Sequence, residues 1–368
     1  MKDVECLVIG GGPAGLSAAI AAAQNGVSVL VVDENAAPGG QLFKQIHKFF
    51  GSKEHQAGIR GYAIGRQLLK EAETAGVKVL LSTRCFGIFD DNIVGLVQND
   101  HVWHVNPRKV IIATGASENA LAFPGCTLPG VMTAGAAQTL INVHRVLPGK
   151  KVVVVGTGNV GLIVGYQLLQ AGAQLACVVE AAPTIGGYMV HANKLRRAGV
   201  PFYLGHTVAK ATGRESVEEV HIAPVDNHFC PIIEKSFIVE ADTIALAVGL
   251  HPRIELSQMA GANIIYNGVM GGHIPNHNAD MKIRENFFVA GDASGVEEAS
   301  TAMEEGRLAG LAAAVELGRL DPICGEQQCF DVRKRLQALR SGDFGTKRAA
   351  AKAEIFAGHA ICNEAERK

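Results

Sequence analysis

The sequence predicts an α/β protein that contains one strand–loop–helix–strand unit twice, and three observations carry the prediction. "LVIGGGPAGLSAAIAAAQNGVSVLVVDE" fills residues 7 to 34, and "VVVVGTGNVGLIVGYQLLQAGAQLACVVE" fills residues 152 to 180. Each copy passes from a short apolar run, through a glycine-rich loop, into a helical apolar period, and then into a second apolar run that ends in acid. The 368 residues are 48% hydrophobic with a mean hydropathy of +0.17, ample for two well-packed cores.

In the first copy, Val4 to Ile9 reads as a strand, and Gly10, Gly12 and Gly15 form Gly-x-Gly-x-x-Gly around Pro13 and Ala14. "LSAAIAAAQNG" reads as an Ala-rich helix stopped at Gly26, and "VSVLVVDE" as a strand ending in Asp33 and Glu34. One glycine makes the tight turn, one lets backbone approach a pyrophosphate, and one lets helix and strand pack closely. The helix start offers free N–H groups and partial positive charge to the phosphates, and Asp33, with Glu34 beside it, can accept the hydroxyl protons of an adenosine ribose.

The second copy repeats every part: strand "KVVVVG", Gly156, Gly158 and Gly161 around Asn159 and Val160, helix "LIVGYQLLQAG", strand "AQLACVVE" and the acid Glu180. A single such motif is weak evidence, but two complete units in order point to two Rossmann-like dinucleotide-binding domains, each three-layered. Two bound dinucleotides suit electron transfer between them. Glu180 is followed by "AAPTIGG", which has no Arg or Lys to meet a 2′-phosphate, so NAD is expected at the second site rather than NADP.

Composition removes other classes. The 34 basic residues nearly cancel the 35 acidic ones, so no charge imbalance suggests nucleic acid or an anionic membrane as partner. Forty-three glycines against 13 prolines suit a chain folded tightly around cofactors. A first strand beginning by Val4 leaves no room for a signal peptide, and no apolar run reaches the roughly 18 residues needed to span a bilayer, so the expected location is cytoplasmic. Eight scattered cysteines without a Cys-x-x-Cys pair are expected to be free thiols, not a dithiol redox centre or zinc ribbon.

Three further stretches carry a resemblance. "VIIATGA" at 110 to 116 holds Ala113, Thr114 and Gly115, and "TIALAVGLHPR" at 243 to 253 is its counterpart with Gly249. "NFFVAGDASGVEEASTAMEEGRLAGLAAA" at 286 to 314 is a strand, a turn with Gly291 and Asp292, and a long helix. With "GGGPAG", these make residues 1 to 318 resemble the two-dinucleotide-binding-domain flavoproteins of the pyridine nucleotide-disulfide oxidoreductase-like superfamily. The resemblance implies FAD in the first site, with Asp292 on its ribitol or pyrophosphate and the following helix start facing the pyrimidine end of the flavin. It also implies the organisation: an FAD-binding domain from 1–118 plus 282–330, an inserted NAD(P)-binding-like domain at 119–281, and a helical tail at 331–368. One Rossmann-like domain is thus inserted in the other.

"GGQL" at 39 to 42 and "FPGCTLPGVMTAGAAQTLIN" at 123 to 142 are similar to one subgroup, the FAD- and pyridine-nucleotide-binding chains of amine and amino-acid dehydrogenases that are built of several subunits. This subgroup includes the alpha subunits of dye-linked L-proline dehydrogenase and heterotetrameric sarcosine oxidase, and one subunit each of opine oxidase and hydrogen cyanide synthase. The implied partners are a companion flavoprotein dehydrogenase chain and a small iron–sulfur subunit, and the implied substrate is an amine or amino acid. Relatives that bind a [2Fe-2S] cluster do so through four C-terminal cysteines. Only Cys324, Cys329 and Cys362 follow the flavin helix here, so ordinary cysteines are expected, with a shared or interfacial cluster as the alternative and a [2Fe-2S] cluster on a partner subunit as the other option.

No hydrolytic triad, paired-carboxylate pattern or metal cluster stands out, and hydride transfer between flavin and nicotinamide needs none, because the cofactors carry that chemistry. By resemblance Gly40 and Gln41 lie near the flavin. Gln41 and Ser300 are the candidates for direct action there, with Glu297, Glu298 and Thr301 as tuning groups or helix caps. His47 and His55 read as part of a polar surface excursion before a helix at about 61 to 75. His273 and His277 in "GGHIPNHN" read as loop residues rather than a metal pair. The basic C-terminal tail reads as a solvated face or a docking element for a partner. Two rival readings stand beside that of a dehydrogenase component: a stand-alone NADH-dependent reductase of a small redox protein or quinone, and a second site that is structural, holding ATP or empty.

Overall fold

The computed structural model describes residues 4–49 and 53–366 and divides into two units: one runs up to Ser117 and resumes at His251, the other is Glu118–Leu250. The return therefore falls at Leu250/His251, not between residues 281 and 282. Residues 251–281 add α6 (Glu255–Met259) and the hairpin β18 (Ile264–Asn267) and β19 (Gly272–Pro275) to the first unit. The intervening short strands are β8 (Ala116–Glu118) where the chain leaves and β17 (Leu250–Pro252) where it comes back.

In the first unit, the strands β1 (Cys6–Ile9), β2 (Val29–Val32), β3 (Lys78–Leu80), β7 (Lys109–Ile112), β20 (Lys282–Arg284) and β21 (Phe287–Val289) form one sheet in the order β20-β21-β7-β1-β2-β3. All neighbours are parallel except the edge pair β20–β21. Parallel strands buried on both faces need continuous apolar sequence, which "CLVI" and "VLVV" supply. Their side chains alternate: Cys6, Val8, Val29 and Val31 face the helices α1 (Pro13–Gln24), α7 (Ala299–Glu316) and α8 (Pro322–Leu339), whereas Leu7, Ile9, Leu30 and Val32 face the antiparallel sheet β4 (Arg84–Ile88), β5 (Val94–Gln98) and β6 (His101–Val105). α2 (Gly61–Thr74) lies on the helical side.

The second unit repeats this plan. Strands β9 (Val131–Thr133), β10 (Lys151–Val155), β11 (Gln174–Glu180), β12 (Phe202–Leu204) and β16 (Thr243–Leu246) form a wholly parallel sheet in the order β12-β11-β10-β16-β9. Val152 and Val154 pack with α3 (Ala134–Thr139), α4 (Asn159–Gln170) and α5 (Met189–Arg197), while Val153 and Val155 pack with the antiparallel β13 (His206–Thr212), β14 (Glu219–Pro224) and β15 (Phe237–Glu240). Both units are thus three-layered: helices, parallel sheet, antiparallel sheet.

α7 crosses α1 at close range because Gly306 and Gly310 stand at the contact. A Cβ on either would lie 2.0 Å from the Ala14 carbonyl oxygen or 2.2 Å from that of Ala18. The C-terminal helices α8 and α9 (Gly342–Glu366) belong to this unit, and the tail is not a solvated face: Ala351, Lys352 and Ile355 are buried with Met270 and Ile274. Among the described residues no helix is long and apolar enough to cross a membrane.

Candidate functional site

Both glycine loops lie at the C-terminal ends of their parallel strands, between strand and helix, the position where such sheets receive ligands. In the first, Gly10 takes φ +109°, and a Cβ there would sit 2.3 Å from the Ala113 oxygen at the end of β7. A Cβ on Gly15 would lie 1.8 Å from the Gly10 oxygen. In the second, the matching distances are 2.2 Å from Gly156 to the Ala247 oxygen and 2.3 Å from Gly161 to the Gly156 oxygen. Ala247, missed in the sequence, is thereby the equivalent of Ala113.

Gly12 is the N-cap of α1, followed by Pro13, and Gly158 is the N-cap of α4, followed by Asn159. Neither start has a side-chain cap or a first-turn acid. The first N–H groups of a helix have no intrahelical acceptor. Around Gly158 a Cβ would meet nothing within 4 Å, and around Gly12 only the Gly40 Cα at 3.9 Å. Two uncapped helix starts whose N-cap glycines have little packed against them fit phosphate groups. Val160, in the first turn of α4, is partly exposed. Gly115 and Gly249 both hold positive φ after their strands, at +73° and +102°.

The acids sort themselves by their bonds. Asp33 is buried, and it accepts from the Gly11 N–H at 2.6 Å and the Asn35 N–H at 2.7 Å. Glu180 accepts from the Thr157 N–H at 2.8 Å, the Thr157 hydroxyl at 2.6 Å and the Ala182 N–H at 2.9 Å. Asp33 is therefore the structural counterpart of Glu180. Glu34 is one residue further, exposed, and paired with Arg253 at 2.9 Å and Arg84 at 3.4 Å, two cations the sequence did not single out.

The duplication extends to a Gly-Gly pair at the same distance after each acid. Gly39 donates its N–H to the Gly11 oxygen at 3.0 Å, and a Cβ on Gly40 would lie 2.9 Å from the Gly12 Cα. In the second unit Gly186 donates to the Thr157 hydroxyl at 3.0 Å, Tyr188 donates to Asn159 Oδ1 at 2.8 Å, and a Cβ on Gly187 would lie 2.9 Å from the Asn159 nitrogen. The repeated "GG" was the available signal. Gln41 is exposed at the start of the turn Gly40–Lys44.

The Gly291–Ser294 turn follows β21. Gly291 has φ +69°, and a Cβ there would press on Ala14 of α1 at 2.7 Å, which brings this turn beside the first glycine loop. Asp292 accepts from the Glu297 N–H at 3.3 Å. Burial pushes its carboxyl up to about 6, with Glu305 and Glu297 adding to the rise. Glu298 and Thr301 act as the capping box of α7, which leaves Ser300 partly buried in the first turn; Glu297 pairs with Arg340 of the tail at 2.6 Å.

His55 and His273 come out differently, while His277 stays in a loop and Cys324 and Cys329 are free thiols. His55 is not on a surface excursion: it is buried 3.2 Å from the fully buried Glu304, which also meets Arg335 at 3.0 Å. Gly272–Pro275 is a strand, with the His273 ring against Tyr266, and His277 is buried with Nδ1 2.8 Å from the Pro275 oxygen. Cys329 lies in the core, where burial raises its thiol to about 11, while Cys324 is exposed; the side chain of Cys362 lies outside the described residues. Among the described residues no three His, Cys, Asp or Glu side chains group to hold a metal ion.

This pair of glycine-loop units with a Gly-Asp turn defines a two-domain nucleotide-dependent oxidoreductase. The family model for pyridine nucleotide-disulphide oxidoreductases matches residues 4–306, and the chain belongs to that family. Membership implies FAD and NAD(P) binding. The chain is 28% identical to an opine oxidase subunit of Rhizobium meliloti (strain 1021), with 86% of this chain and 72% of that protein covered. It is also 28% identical to the hydrogen cyanide synthase subunit HcnB of Pseudomonas aeruginosa, over 93% of this chain and 77% of the relative. The L-proline dehydrogenase of P. horikoshii has the same fold, with a TM-score of 0.67 at 24% identity; the match covers 89% of this chain but 58% of that one. The chain is an oxidoreductase related to subunits of larger enzymes.

Proposed function

We propose that this chain is the FAD- and NAD-binding subunit of a heteromeric dehydrogenase that oxidises an amine or amino acid, and that it relays electrons between its flavin and a second nucleotide or acceptor. The observation that carries the reading is the duplicated glycine loop, each with an uncapped helix start and a bonded acid, joined in the first unit by the Asp292 turn. Gly10, Gly12, Pro13, Ala14, Gly15, Asp33, Gly40 and Asp292 would hold FAD, with Ala113, Thr114 and Gly115 lining the same strand end. Glu34, beside Asp33, would stand toward the ribose. Gly156, Gly158, Asn159, Gly161, Glu180 and Gly249 would hold NAD.

The bound flavin and nicotinamide supply the hydride chemistry. The protein's part is placement and charge. The starts of α1 and α4 present N–H groups to the two pyrophosphates, Asp33 and Glu180 stand at the riboses, and Glu180 disfavours a 2′-phosphate. The kinship with subunits of opine oxidase and hydrogen cyanide synthase supports a companion chain that binds the amine. Co-expression with candidate flavoprotein subunits, followed by affinity capture and dye-linked amine oxidation, tests this. Activity that needs a captured companion is expected; full amine oxidation by this chain alone would contradict it.

A further inference from the structure

A cluster of charges joins the C-terminal helix to the Gly291–Ser294 turn, and neither glycine loop involves it. Lys352 on α9 is 1% exposed. Its Nζ lies 2.8 Å from Glu305 Oε1, 2.9 Å from Ser294 Oγ, 3.2 Å from the Ser294 carbonyl oxygen and 3.3 Å from His277 Nε2. His277 Nδ1 faces a carbonyl oxygen, which can only accept, so Nδ1 carries the proton and Nε2 accepts from Lys352. Every neighbour of Nζ is then an acceptor, as a charged ammonium with three N–H groups requires.

Glu305, on α7, passes this anchoring to the turn: its Oε2 accepts the Gly291 N–H at 3.1 Å and lies 2.8 Å from the Ser294 hydroxyl. Arg340 supplies a second cation to Glu305 and also pairs with Glu297, whose N–H reaches Asp292. Burial works against the Glu305 carboxylate, yet Lys352 and Arg340 outweigh it and hold its carboxyl well below the usual range. The turn that carries Asp292 is thus shaped by two cations of the tail.

We infer that Lys352 is a positioning residue for the flavin: through Glu305 and Ser294 it fixes the Gly291–Ser294 turn and sets the electrostatic field there. This rests on the reading that FAD binds at that turn. A cation favours the extra negative charge of a reduced flavin, and a carboxylate disfavours it. Charge loss at the two ends of one ion pair should therefore move the flavin in opposite senses, whereas a purely architectural pair would move it the same way or not at all.

The test uses the full chain reconstituted with FAD, with two readouts: the reduction potential of the bound flavin and the FAD dissociation constant. K352M should lower the potential and E305Q should raise it, and both should weaken FAD binding, by about tenfold for a lost charge-assisted contact. Removing one partner of a buried pair is strongly destabilising. If one single variant does not fold, the other is compared with K352M/E305Q, which lacks both charges: a potential that returns toward the wild-type value with the second substitution supports the inference, and one that shifts further in the same direction overturns it. Wild-type FAD uptake with both single variants at the wild-type potential, or shifted in one direction together, overturns the inference alone. A wild-type chain that takes up no FAD overturns the functional reading and this inference with it.

Discussion

Gly10 and Ala113 meet so closely that no side chain fits between them: a Cβ on Gly10 would stand 2.3 Å from the Ala113 carbonyl oxygen, on a backbone with φ +109°. Ala247 does the same to Gly156 in the second unit, at 2.2 Å and φ +103°.

Replacing Gly10 with Ala therefore adds backbone strain and forces the loop away from β7. The cost is about 2 kcal/mol or more. Gly10→Ala should lose FAD and leave NAD binding in place; Gly156→Ala should do the reverse. Flavin content after purification and calorimetric titration with NAD distinguish them.

Gly306 and Gly310 make a different prediction, about packing alone. Val at Gly310 drives into the Ala18 backbone, where a Cβ already lies 2.2 Å from the oxygen. Overpacking of this kind costs about 1–3 kcal/mol, read as a lower melting temperature of the FAD-free chain.

Asp292 carries a pH signature. Its folded carboxyl lies near 6 against an ordinary 3.8, so between those values the folded chain binds more protons than the unfolded one. Stability attributable to this group therefore falls as pH rises through that window. D292N removes the term. The FAD-free variant should match the wild type below about pH 4, gain on it as pH rises toward 6, and keep the gain above; equal melting curves throughout would contradict this.

Glu180→Ala should weaken NAD binding by roughly tenfold, because hydrogen bonds to a charged group contribute about 1.5–3 kcal/mol. Flavin content should not change. Titration calorimetry with NAD on the FAD-loaded chain reads both.

What the sequence made legible was local. A glycine with positive φ, a strand of consecutive valines and a terminal acid each leave a mark within a few residues, and two such runs in order revealed both nucleotide units. The choice between Asp33 and Glu34 was legible only by comparing the two copies, since Asp33 and Glu180 stand at the same distance before a Gly-Gly pair, and the bond from the Gly11 N–H agrees. Pairings between distant residues leave no period to read. His55 finds Glu304 from 249 positions away, and Lys352 finds His277 from 75. Charged residues in a basic tail resemble a solvated face until the fold shows that Arg340 and Lys352 are buried in pairs. The return to the first unit leaves no local mark either: residues 251–281, with the hairpin Ile264–Pro275, join the first unit only through the fold.

The most direct test of the two-site account is an anaerobic titration of the FAD-loaded chain with NADH, followed by the visible absorbance of oxidised flavin. This band is expected to be lost as NADH is added, and Glu180→Ala is expected to shift the titration to higher NADH. A band that stays unchanged at saturating NADH, in the lone chain and in the complex with its companion, would contradict it.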